Sequence, residues 1–143
     1  MKCAYRSCLL MCRTALAAGV LLATVSVSYS ADPPAEEWKA PARAARKENP
    51  VASDEASFAA GKKLYDGNCL ACHGAGGKGD GPAAKDLKVK PKDLADDAVV
   101  KQSDGALFWK LTEGRPPMPA TDKTLSETER WQVINYTRTF AKK

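Results

Sequence analysis

The chain has a single histidine, His73, in 143 residues. That scarcity excludes any centre that needs two imidazoles. Alternating apolar and polar runs of the kind that make strands are missing, which argues against a sheet. Strong charge of one sign is missing too. The net charge is +5, but the first thirty residues carry three positive side chains and no negative one. They read as an export signal: Lys2, Arg6 and Arg13 form the positive region, "TALAAGVLLATVSV" the apolar one, and small residues Ser28 and Ser30 mark a cleavage point after Ser30. The alternative is an uncleaved membrane anchor, since the uncharged run from Thr14 to Ala31 is at the short edge of a spanning helix. Removing 30 of the 143 residues leaves 113 with a net charge of +2. That is too small an excess to neutralise phosphates, so nucleic acid is not an expected partner.

Cleavage also removes most of the sulfur. Cys3, Cys8 and Cys12 leave with the signal, and neither Cys8 nor Cys12 sits in a lipidation box. Two cysteines remain, Cys69 and Cys72, and one methionine, Met118, because Met1 and Met11 are lost. The mature chain is expected in an oxidising compartment, the periplasm.

What the chain does contain is ordered. Residues 31–52 are rich in proline and alanine, with Pro33, Pro34, Pro41 and Pro50 blocking a continuous helix. This segment reads as a tether or arm packed loosely on the domain, with Trp38 as its one packing residue. From residue 53 to 143 the signals are helical. Ser53 or Asp54 can cap "EASFAAGKKLYDGN", where Phe58, Gly61, Leu64 and Tyr65 share a face. Ser103 or Asp104 can cap "SDGALFWKLTEG", which Gly114 ends. Ser126 and Glu129 form a capping box for "LSETERWQVINYTRTF", with Val133, Ile134, Tyr136, Thr137 and Phe140 apolar. The reading is an all-α domain of about three to five helices with long loops. So small a domain buries too little surface to hold long loops unaided, so a bulky apolar cofactor is expected at its centre.

The stretch "NCLACHGAGGKGDGP", from Asn68, places Cys69, Cys72 and His73 in the pattern C-x-x-C-H. Zinc would need a fourth ligand, and two cysteines with one histidine do not supply it. A thiol–disulfide exchanger would put C-x-x-C at a helix start after a strand, whereas this motif ends a helix. Covalent haem accounts for all three residues: two thioethers to the porphyrin vinyl groups and an adjacent proximal ligand to iron. With no second histidine, Met118 is the candidate for the sixth ligand. It lies in "GRPPMPA", where three prolines stiffen the loop. The alternatives are Met118 as core filler or an open sixth position.

At this point the sequence resembles the class I monohaem c-type cytochromes of exported bacterial proteins, from about Asp54 to the end. Gly61, Tyr65 and Cys69 match the family's first helix, and Val133 and Tyr136 in "ERWQVINY" its last. "GKGDGP" resembles the segment whose proline carbonyl accepts a hydrogen bond from the proximal histidine, which implies that role for Pro82. "DGALFW", "MPA" and "LSETERW" resemble electron-transfer domains serving dehydrogenases and terminal oxidases. The resemblance implies the cytochrome c fold around one haem c with its iron.

The function expected is one-electron transfer by a six-coordinate His73/Met118 iron, not catalysis. Phe58, Leu94, Leu107 and Phe108 would wrap the haem, and Trp109 and Arg115 are candidates for hydrogen bonds to its propionates. A monomer is expected, meeting a membrane oxidase, a cytochrome complex or a periplasmic dehydrogenase at the haem edge, with a membrane involved only if the signal is retained. Lys78, Lys85, Lys88, Lys90 and Lys92 read as a solvated face rather than a docking patch. The rival readings are a tethered electron-entry subunit of a larger oxidoreductase and, behind it, a ligand-binding or peroxidatic haem protein.

Overall fold

The computed structural model describes residues 37–142. The export signal, its cleavage point and the first part of the arm lie outside the described residues. Within them there are six α-helices, α1 (Ala42–Ala45), α2 (Glu55–Asn68), α3 (Leu70–His73), α4 (Asp97–Val100), α5 (Asp104–Glu113) and α6 (Glu127–Arg138). Short 3₁₀ turns cover Ala84–Asp86 and Thr139–Lys142. Three of the six, α1, α3 and α4, are single turns. They carry too few residues to show an apolar period, which is why the sequence reading counts fewer helices.

The three long helices start where their caps dictate. Asp54 accepts from the Ser57 N–H at 2.8 Å, and Ser103 from the Ala106 N–H at 3.2 Å. Ser126 and Glu129 exchange bonds as a full capping box, at 3.3 and 2.7 Å. Gly114 ends α5 at φ 66°, a conformation that a side chain disfavours.

Helices α2 and α6 cross at Gly61. A Cβ there would collide with the Gln132 carbonyl and come within 2.9 Å of Tyr136 Cβ. Beside the crossing Tyr65, fully buried, meets Tyr136 and Phe140 edge-on at 5.3 and 5.4 Å between centroids. On the other side of α6, Trp131 is fully buried and stacked on Phe108 at 4.0 Å. Trp131 thus joins the apolar face read from the sequence, which begins two residues later at Val133.

The arm is fastened firmly, from Pro41 onward, to α5 and α6. Asn135, 2% exposed, donates to the carbonyls of Val51 and Ala52 and accepts from the Asn49 amide at 2.7 Å. Ser103 donates to the Ala45 carbonyl at 2.6 Å, and Gly105 lets α1 approach so closely that a Cβ would strike the Ala44 carbonyl. Lys47 pairs with Glu127 at 2.7 Å and lies over the Phe108 ring at 4.6 Å. Proline stops a helix from running through this segment without preventing it from docking, so it packs closely where the sequence suggests a loose tether.

Candidate cofactor site

Helix α2 delivers Cys69 at its C-terminal end, and the single turn α3 follows at once with Cys72 and His73. The N–H groups of Cys72 and His73 both reach back to the Cys69 carbonyl, at 3.1 and 2.9 Å. A helix end leaves carbonyls without partners, and the glycine-rich loop supplies them. Gly79, Gly81 and Ala83 donate to the carbonyls of His73, Cys72 and Ala71 at 2.9, 3.2 and 2.8 Å. Gly81 fits because a Cβ there would clash with the Ala71 carbonyl. The Tyr65 hydroxyl donates to the Gly74 carbonyl at 2.7 Å and ties the loop to the core. The loop is therefore a cap that fixes the C-x-x-C-H turn.

This turn forms one wall of a mainly apolar cavity of about 340 Å³. Cys69, Cys72, His73 and Met118 all line it, so the structure brings the four together. Leu94 and Leu107 line it as well. Phe108 sits in the core behind it and Phe58 is half-buried elsewhere. Pro82 is exposed and does not line the cavity; the backbone beside the His73 ring is that of Lys92, next to the wall residue Pro91. Trp109 is not a lining residue either, since its ring lies against Trp38, 6.4 Å between centroids. Arg115 does line the cavity.

The loop bearing Met118 is held at both ends. Arg115 and Met118 exchange backbone hydrogen bonds at 3.0 and 2.9 Å. Thr121, buried, donates its hydroxyl to the Leu111 carbonyl at 2.7 Å. Between them the Pro116–Pro117 peptide is cis. Met118 itself is half-buried against the core cluster.

Electrostatics separate the possible chemistries. Burial, with the Cys72 thiol beside it, pushes the Cys69 thiol up to about 11. An exchange thiol needs a lowered value, usually from a helix N-terminus; this one stands at a C-terminal end. Burial also holds His73 below its ordinary value, with the Lys92 backbone opposing the shift. A neutral imidazole is the form that ligates a metal. His73 Nδ1 is buried and makes no hydrogen bond. Among the described residues no three His, Cys, Asp or Glu side chains cluster as a metal site of their own. Two thiols, a neutral imidazole and a thioether around an apolar cavity fit a covalently held haem.

Trp38, Lys110 and Arg138 are among the wall residues that lie outside the sequence reading of the site. Arg138 pairs with Asp104 at 2.7 Å and caps the carbonyls of Val100 and Gln102. Lys110 donates to Gln102 at 2.5 Å, and burial lowers its pKa. Lys110 was within reach of sequence reasoning, because Leu107, Lys110 and Leu111 share a helix face at three- and four-residue spacing.

Comparison with known proteins agrees with this geometry. Residues 56–136 match the family described as cytochrome c oxidase, cbb3-type, subunit III. The chain belongs to that family and is a monohaem c-type cytochrome, with covalent haem c and its iron as cofactor. It is similar to cytochrome c6 of Chlorolobion braunii, 36% identical over 88 residues that cover 57% of this chain and 89% of that protein. Cytochrome c6 of Leptolyngbya boryana is 37% identical over 81 residues, covering 57% and 89%. Among solved structures, a chain of the Kuenenia stuttgartiensis reducing HAO-like protein complex Kustc0457/Kustc0458 superposes with a TM-score of 0.57 at 32% identity. That match covers 64% of this chain, which spans 46% of its partner's length. The chain is an electron carrier of the cytochrome c6 kind.

Proposed function

We propose that this protein is a periplasmic one-electron shuttle whose haem iron is held by His73 and Met118, with Cys69 and Cys72 forming the thioethers. The observation that carries the reading is that the C-x-x-C-H turn and Met118 line one mainly apolar cavity. Haem supplies a reversible one-electron couple when bound. The chain's own residues then do the rest: the glycine loop fixes the turn that carries His73, the Met118 loop fixes the thioether, and the leucine walls exclude water. A thioether favours the ferrous iron and apolar burial acts in the same direction, so a positive potential follows. Arg115 and Lys110 both line the cavity and would supply the cations for the porphyrin carboxylates. Trp109 supports that edge through Trp38 rather than by direct contact. Pro82 follows the loop glycine Gly81, whose N–H caps the motif at the Cys72 carbonyl.

Partners are redox proteins, reached by a small transient contact near Cys69 and Cys72. Among the described residues no helix is long and apolar enough to cross a membrane. A second reading, a fixed electron-entry subunit, is favoured by the closely docked arm and by the likeness to a chain of a two-protein complex. The two are separated by redox titration of the purified protein alone and by size-exclusion chromatography with its native extract. A shuttle gives a single reversible one-electron wave and migrates as a free monomer. A fixed subunit co-migrates with a larger oxidoreductase.

A further inference from the structure

Trp38 belongs to the arm, outside the residues 56–136 that match the family, yet it lines the cavity. Its position is set by what holds the arm. Asn135, Ser103 and the Lys47–Glu127 pair fix the segment that follows it on α5 and α6. The Trp38 ring then meets Trp109 of α5 at 6.4 Å and carries a cation on its surface at two points. Lys110 Nζ lies 5.5 Å from its centroid and the Arg115 guanidinium carbon 5.3 Å. Cations are attracted to the negative face of an indole, the strongest of the aromatic acceptors.

Arg115 is the link to the iron side. Its backbone exchanges both hydrogen bonds with Met118 across the Pro116–Pro117 turn. Trp38 therefore holds Arg115 by its side chain, while Arg115 holds Met118 by its main chain. We propose that Trp38 is a positioning residue for the sixth ligand: the arm clamps the methionine loop shut and so sets how firmly the thioether stays on the iron. This rests on the His73/Met118 reading. It also gives the arm a task inside its own domain, with no partner protein required.

The test is imidazole binding to the ferric holoprotein, full chain, because imidazole must displace the thioether and so measures loop opening. Trp38→Leu keeps apolar bulk but removes the ring face, and should raise imidazole affinity about tenfold, equivalent to about 1.4 kcal/mol. Trp38→Phe keeps a ring face for Arg115 and should stay within about threefold of the native protein, since the weaker ring still attracts the cation. Equal affinity in the native protein and both variants, each folded by circular dichroism, overturns the clamp. So does an equal rise in both variants, which would mean that bulk alone matters. The native ferric spectrum keeps the two claims apart. If it lacks the weak far-red band of methionine-sulfur ligation, the ligand assignment itself fails; if the band is present and the variants bind imidazole alike, only the clamp fails.

Discussion

The Asn135 amide of α6 donates to the Ser57 hydroxyl of α2 at 2.8 Å, and the same side chain bonds the Val51 and Ala52 carbonyls of the arm. One buried amide thus joins three segments that are far apart in sequence. Replacing it with leucine leaves those carbonyls and the Asn49 amide without partners in a dry site, at a cost of roughly 2–3 kcal/mol. Urea unfolding of Asn135→Leu should show that loss, and limited proteolysis should cut within residues 37–52 earlier than in the native protein. Unchanged proteolysis would mean the arm is held by its other contacts.

Two glycines of α2 should respond in opposite ways. Gly61 has the Gln132 carbonyl against it, so Gly61→Ala forces the helices apart and costs about 1–3 kcal/mol. Gly67 is exposed with nothing within 4 Å of a Cβ, and Gly67→Ala should stabilise by about 0.5 kcal/mol through the better helix propensity of alanine. Thermal unfolding of the pair decides it. If both destabilise, the crossing is not what makes Gly61 special.

The start of α6 carries a pH dependence. The Ser126 N–H, and its hydroxyl after it, hold Glu129 below the ordinary value of 4.5; Lys47 does the same for Glu127 by hydrogen bond and charge. Both carboxyls take up protons more readily when unfolded. Their contribution is therefore fully present above 4.5 and is lost as pH falls through the lower folded values. Glu129→Gln should flatten the fall in melting temperature across that window, while Ser126→Ala should cost about 1 kcal/mol at neutral pH. A melting curve with the same pH slope in Glu129→Gln would contradict the assignment.

Much of this was legible in the sequence, for local reasons. Caps at Asp54, Ser103 and Ser126 announce themselves by side-chain chemistry within four residues, and C-x-x-C-H is contiguous. Met118, the one methionine left if the expected signal is removed, lines the same cavity as that motif. What escaped is non-local. Trp38 reaches the cavity because Asn135, nearly a hundred residues later, fixes the arm, and no periodicity encodes that. Pro82 was read from a loop pattern, and in the structure it is exposed and lies outside the cavity wall. Trp131 was missed because it packs on Phe108 of another helix, on the side of α6 away from the Gly61 crossing.

Haem attachment can be tested cysteine by cysteine. Cys69→Ser and Cys72→Ser should each keep one thioether, visible as retained haem mass after denaturation and as a red-shifted pyridine haemochrome. The double variant should lose haem on acid-acetone extraction. Haem retained by the double variant would mean that the two thiols do not hold it.

The most direct test of the account is the optical spectrum of the purified holoprotein. With His73 and Met118 both on the iron, the ferric form shows the weak far-red band of sulfur ligation, and carbon monoxide leaves the ferrous spectrum unchanged. Met118→Ala should abolish the band and admit carbon monoxide. A native protein that lacks the band and binds carbon monoxide at once would contradict the closed iron on which electron shuttling rests.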